Sequence, residues 1–153
     1  MICHPKQFCN ILYKTSWIYF ISSVFGIYKE KYDLAIYTGL VWLTSINYWN
    51  NPRDPFNYYL DISVVRSGVL YHLLRGGDSP NYIVFYKIFN SGLFFYIPSR
   101  YFFNKKLYYI STISHANLHI ITGIALIYLY NTEVESLSNS KIIQLIYNHT
   151  INI

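Results

Sequence analysis

Two histidines, His115 and His119, stand one helical turn apart inside the run SHANLHIITGIALIYLY, from Ser114 to Tyr130. Residues at i and i+4 share a helix face, and neutral imidazole is a good zinc ligand. The pair therefore offers two nitrogens to one metal ion. A catalytic zinc takes about three protein ligands plus a water, so two histidines leave the set incomplete. Haem is a poorer match, because opposed axial histidines come from facing helices and His72 would have to join one of the pair. The other ionisable side chains set in apolar sequence are Asp61, Arg66, His72 and Lys87. Each costs about 2.5–3.5 kcal/mol at a bilayer centre on insertion scales, so each needs a reason. Lys87 lies near the end of its block and can snorkel. Asp61 is read either as a hydrated carboxylate at a helix end, pairing Arg53 or Arg66, or as part of an interior site. For His72 the alternative to ligation is one interhelical hydrogen bond, worth about 1 kcal/mol.

The elements that must position these groups are apolar blocks. The 153-residue chain suits one domain. It is 53% hydrophobic and 12% charged, against roughly 25% charged for a soluble domain, and its mean hydropathy is positive. Five blocks can be drawn, about Ile11–Tyr28, Leu34–Trp49, Tyr58–Leu74, Tyr82–Ile97 and Leu107–Tyr130. A membrane-spanning helix needs roughly 17–25 residues, so the second, third and fourth are near the short limit and either borrow Tyr and Trp at their ends or sit in a thinned bilayer. The expected fold is all-α, a polytopic membrane bundle of about five spans over residues 1–130. A polar tail follows over 131–153, with a short amphipathic segment at its end.

The breaks have physical causes. KEKYD (Lys29–Asp33) brings four charges, and NNPRDP (Asn50–Pro55) brings two prolines that remove backbone donors. RGGDSP (Arg75–Pro80) is turn chemistry in which Asp78 or Ser79 is expected to cap the next helix. PSRYFFNKK (Pro98–Lys106) is expected to break the chain before the last block. Short loops make neighbouring helices antiparallel.

The net charge of +5 is spread over these loops without a basic stripe or RNA-binding motif, which argues against a nucleic-acid partner. With five spans, Lys6, Lys14, Arg53, Arg100, Lys105 and Lys106 fall on the N-terminal side, against Lys29, Lys31, Arg75 and Lys141 on the other. The bias points to a cytoplasmic N-terminus, and it places the Asn148–Thr150 sequon on the non-cytoplasmic side. Some of the 18 Tyr and 10 Phe suit headgroup-level belts, but joint enrichment in Ile, Tyr, Asn, Phe and Lys points chiefly to biased codon usage. Cys3 and Cys9 form no CxxC. No GxSxG elbow, P-loop or dinucleotide fingerprint is present.

Taken in chain order, Ser45 at the end of the second block, Asp61 at the start of the third and H-x-x-x-H at 115–119 resemble the CREST superfamily of membrane hydrolases. That superfamily includes the alkaline ceramidases and adiponectin-receptor-like proteins. Its pattern is Ser-x-x-x-His, then Asp, then His-x-x-x-His. The resemblance implies a metal-dependent lipid amide hydrolase, or an inactive relative of one. Zinc would sit on His115, His119 and a third histidine, with Ser45 and Asp61 positioning and activating a bound water. Two departures stand out: Trp49 occupies the place of the family's first histidine, and about five spans replace seven. His72 is the remaining intramembrane histidine, about three turns beyond Asp61. The expected partner is membrane lipid. The alternative is a non-catalytic membrane scaffold that binds a membrane protein, or a second copy of itself, through its aromatic helices.

Overall fold

The computed structural model describes residues 5–140 and Gln144. Cys3, the sequon and the rest of the amphipathic segment after Lys141 lie outside the described residues. Six α-helices follow one another: α1 (Lys6–Tyr28), α2 (Tyr32–Asn50), α3 (Pro55–Gly76), α4 (Tyr82–Phe94), α5 (Tyr96–Asn104) and α6 (Tyr108–Tyr130). A 3-10 turn, Leu137–Asn139, comes after them. The chain is all-helical, and no strand occurs among the described residues.

Local chemistry sets several boundaries. Pro55 opens α3, where a missing N–H costs nothing, and the Asp54 carboxylate accepts the Phe56 N–H at 2.9 Å. α1 ends where Glu30 takes a left-handed φ of 58°, which lets Lys31 N–H return to the Gly26 carbonyl at 2.9 Å. Lys106 closes α5 in the same way, with φ 60°.

The fourth block differs from expectation. Its helix does not stop at Ile97 but breaks at Phe95 and resumes as α5 as far as Asn104. Pro98 falls in the first turn of α5, where no intrahelical donor is required. The proline therefore starts a helix rather than ending one. Asp78 does not cap α4, whose N-cap is Asn81. It is drawn instead into an ion pair with Arg75.

α1 packs between α2 and α6, and α6 also packs on α4 and α5. α3 packs on α2 and touches α4 only lightly, around Gly76, whose bare Cα lies against the Phe85 ring. In space the helices form an arc, α3–α2–α1–α6–α4/α5, closed loosely between its first and last members.

The buried face of α1 consists of Cys9, Leu12, Ser16, Tyr19, Ser22, Ser23 and Gly26. The exposed face carries Trp17, Phe20, Ile21, Val24 and Ile27. α6 repeats the arrangement, burying Ser111, Thr112, His119 and Thr122 while exposing Ile113, Ile120 and Ile124. Polar side chains are at least as frequent as apolar ones among the described buried residues. Small and hydroxyl-bearing residues let helix backbones approach, and they hydrogen-bond across the interface, which is the packing chemistry of helices in lipid. Gly123 shows the closeness: a Cβ there would lie 2.5 Å from Ile18. α6 is the one described helix long and apolar enough by itself to cross a membrane. The other long helices dilute their apolar residues with Tyr, Ser, Thr and Asn.

Charges gather at the end of the bundle where α2 starts and α3 ends. Arg75 donates from Nε to Asp33 at 3.0 Å, from Nη1 to Asp78, and from Nη2 to the Glu135 carbonyl at 2.8 Å. Tyr71 donates to the same Asp33 oxygen at 2.7 Å, and Ser140 donates to Asp78 at 2.7 Å. Lys31 holds the Val134 carbonyl at 3.1 Å. Val134, Glu135 and Ser140 of the polar tail are thereby tied to the bundle. Burial opposes the charged form of Asp33, but the hydrogen bonds from Tyr71 and Arg75 and the guanidinium charge outweigh it. Its carboxyl titrates below the ordinary 3.8.

Candidate functional site

Ser45, Asp61, His72, His115 and His119 all line one cavity of about 410 Å³ at the centre of the arc. Its volume is in the usual range for a small-molecule site. Every helix except α1 gives several residues to the wall, and α1 gives Tyr19. The remaining surface is largely apolar, with Val65, Val69, Phe89, Leu93, Leu118 and Leu126 prominent.

The polar groups fall into layers. In the first, Asp61 is buried and its Oδ1 accepts the Ser45 hydroxyl at 2.7 Å and the Thr44 hydroxyl at 3.1 Å. The expected partnership of Asp61 with Arg53 or Arg66 does not form; the described ion pairs of the chain are those of Arg75. Two hydroxyls on α2, one turn from its end, satisfy the carboxylate instead. His115 belongs to the same region, with Nδ1 3.2 Å from the Ser99 hydroxyl of α5.

The next layer holds His119, buried, with its ring edge-on to His115 at 4.8 Å between centroids. Its Nδ1 lies 3.0 Å from the Thr15 hydroxyl and 3.5 Å from that of Ser16. Both hydroxyls donate to the Leu12 carbonyl, so their oxygens are left to accept. That arrangement puts the hydrogen on Nδ1 and leaves the lone pair on Nε2. His119 therefore presents a base or ligand nitrogen that is oriented by the neighbouring helix.

His72 belongs to a third layer, eleven residues beyond Asp61 and so about 16 Å further along α3. Its Nδ1 donates to the Gly68 carbonyl at 2.7 Å. In the neutral ring Nε2 then accepts the Tyr130 hydroxyl at 2.9 Å, with the Thr38 hydroxyl, which donates to the Leu34 carbonyl at 3.1 Å, lying 3.2 Å away. Nδ1 is engaged within α3, and Nε2 meets α6 and α2 through Tyr130 and Thr38. The geometry of His72 matches the interhelical hydrogen bond rather than a ligand to the His115–His119 pair.

The residues do not fit a zinc centre as they stand. Among the described residues no group of three His, Cys, Asp or Glu side chains is close enough to hold a metal ion. Trp49 fills the place beside His115, with ring centroids 5.4 Å apart at 77°. An indole N–H is a donor only and brings no lone pair to a metal.

Residues that the sequence does not single out complete the wall or stand behind it. Thr15, Ser16 and Ser99 orient the histidines, and Tyr19 bonds Thr122 at 2.9 Å. The signal that could have found the α1 residues is their own spacing, since positions 12, 16, 19, 22, 23 and 26 mark one helix face. Arg66 and Arg100 also line the cavity. No protein-family profile matches the chain, and no curated protein or solved structure matches it.

Proposed function

We propose that this chain is a multi-pass membrane protein whose cavity binds a membrane lipid, built on a CREST-like frame that lacks a complete metal-ligand set. Five crossings are made by α1, α2, α3, α4 with α5, and α6, with the N-terminus cytoplasmic and the 131–140 segment on the opposite side. The observation that carries the reading is the inversion of the bundle. Serine, threonine, histidine and aspartate turn inward onto one cavity, while isoleucine, leucine, valine and aromatics turn outward. In water such an exterior would be a large apolar patch; in lipid it is solvated.

The meeting of Ser45, Asp61, His115 and His119 in one cavity supports the CREST-like frame. Trp49 beside His115, where the family has a histidine, supports lipid binding over zinc-dependent hydrolysis. An apolar chain would contact Val65, Val69, Leu93 and Leu118, while a polar head would meet Ser45 and the histidines.

The test is organic extraction of the protein purified in mild detergent, with lipid counted per chain by mass spectrometry. The expected result is a near-stoichiometric lipid that is lost when Val65→Trp fills the cavity of a still-folded protein. A folded wild-type protein that retains no lipid would overturn the reading.

A further inference from the structure

Arg66 is the charge that the fold leaves unanswered. It lies near the middle of α3, eleven residues after Pro55 and ten before Gly76. It lines the cavity, yet its side chain is exposed. Arg100, on α5 beside Ser99, lines the same cavity and is half-buried. Among the described residues neither guanidinium has a carboxylate or hydrogen-bond partner. Asp61, the nearest acid on α3, spends Oδ1 on Ser45 and Thr44.

The two arginines flank the loose joint of the arc. α3 barely touches α4 and makes no substantial contact with α5, so the wall between them is thin there. A residue that is both exposed and cavity-lining marks where the cavity reaches the surface, and Arg66 is such a residue. Arg66 is about 16 Å along α3 from its start. In a core about 30 Å thick, that depth is too great for its side chain to reach either interface in full. An unpaired cation there is costly and favours an anion brought in by a ligand. Guanidinium groups suit carboxylates and phosphates, which they bind through paired, charge-assisted hydrogen bonds.

We infer that the cavity opens sideways into the bilayer between α3 and α5 and takes an amphiphile with an anionic carboxylate or phosphate head. Arg66 and Arg100 hold the head, and the acyl chain lies along Val65, Val69, Leu93 and Leu118. This rests on the lipid-binding reading above and adds the charge of the lipid and its route of entry.

Native mass spectrometry of the full chain in uncharged detergent tests it, with oleate, phosphatidic acid, phosphatidylcholine, diacylglycerol and inorganic phosphate as probes. The expected order is oleate and phosphatidic acid above phosphatidylcholine and diacylglycerol. Arg66→Gln and Arg100→Gln should each weaken the anionic lipids about tenfold, with diacylglycerol unaffected and Lys87→Gln silent throughout. Thermal transitions close to wild type would establish that the variants fold. Equal binding of charged and neutral lipids, unchanged in the arginine variants, would overturn the anionic head and leave the lipid cavity standing. Inorganic phosphate displacing the lipids at comparable concentration would assign the arginines to a free anion and overturn the amphiphile. No lipid bound by any folded form would overturn both this inference and the reading beneath it.

Discussion

Two polar regions of this bundle use similar residues in opposite ways. At the end where α2 starts and α3 ends, Arg75 has a named partner for each of Nε, Nη1 and Nη2, and Asp33, Asp78, Tyr71 and Ser140 answer it. In the cavity, Arg66 and Arg100 face the same space as Asp61 without pairing with it. The first region is a closed network, and closed networks rigidify what they join. The second lines a space that no side chain fills, which is the arrangement the proposed binding site would use. The same residue types fasten the chain in one place and, on the proposed reading, would recognise a ligand in the other. The difference lies in whether the partners are supplied by the chain.

The largest effect should come from cutting the fastening. Arg75→Met leaves Asp33 and Asp78 without their cation and should cost about 3–5 kcal/mol, as breaking a buried pair does. Arg75→Lys should recover only part, because an ammonium lacks the fork that reaches both acids and the Glu135 carbonyl. Thermal unfolding in detergent checks both. A loss under about 1 kcal/mol for the methionine variant would mean that the network is a surface pair of the ordinary weak kind.

Next is the metal question, which sharpens the comparison from the cavity side. Wild-type protein should purify with zinc well below one ion per chain. Trp49→His supplies the missing third nitrogen beside His115 and should raise zinc affinity by about 10–100-fold, an increase lost in the His115→Ala/His119→Ala background. Elemental analysis after dialysis reads both. Near-stoichiometric zinc in the wild type would restore the hydrolase reading.

Asp61→Leu should cost less than the Arg75 change, about 1–3 kcal/mol, since it strands two hydroxyls rather than two charges. Lipid retention should fall as well, because Ser45 loses the acceptor that orients it in the cavity. A variant with unchanged stability and unchanged lipid content would place Asp61 at a hydrated helix end, outside the cavity's chemistry.

The smallest effect expected is on pH dependence. The carboxyl of Asp33 is held below its ordinary 3.8 in the folded protein. A depressed folded value contributes stability that is fully present above the unfolded value and fades as pH falls through the folded one. Stability should therefore decline on acidification below about pH 4, and Asp33→Asn should flatten that limb of the curve. An unchanged slope in the variant would assign acid sensitivity to other carboxylates.

The helical class and most helix boundaries were legible because charges and prolines punctuate apolar blocks. NNPRDP ends α2 and opens α3 as its two prolines require. Pro98 misled because a proline reads as a stop from sequence, while its role depends on whether a helix begins there. The meeting of Ser45, Asp61, His115 and His119 on one cavity was legible through helix periodicity and a family resemblance. The partners were not. Asp61 lay near two arginines in sequence but found two hydroxyls on α2, the helix that α3 packs on with Gly68 close to Val41. His72 sat in the same kind of apolar block as His119, yet its partner Tyr130 stands eleven residues, about 16 Å, beyond His119 along α6, and this puts the two histidines in different layers. Spacing along a helix reports which face a residue shares. It does not report which residue on another helix arrives at the same depth.

The account stands on a lipid inside the bundle rather than merely around it. Photocrosslinking in native membranes with lipids that carry a diazirine in the acyl chain, followed by peptide mapping, separates the two directly. The account predicts adducts on cavity residues such as Val65, Val69, Leu93 and Leu118, lost in Val65→Trp. Adducts confined to outward residues such as Ile36, Leu43, Ile120 and Ile124, with none in the cavity, would contradict it.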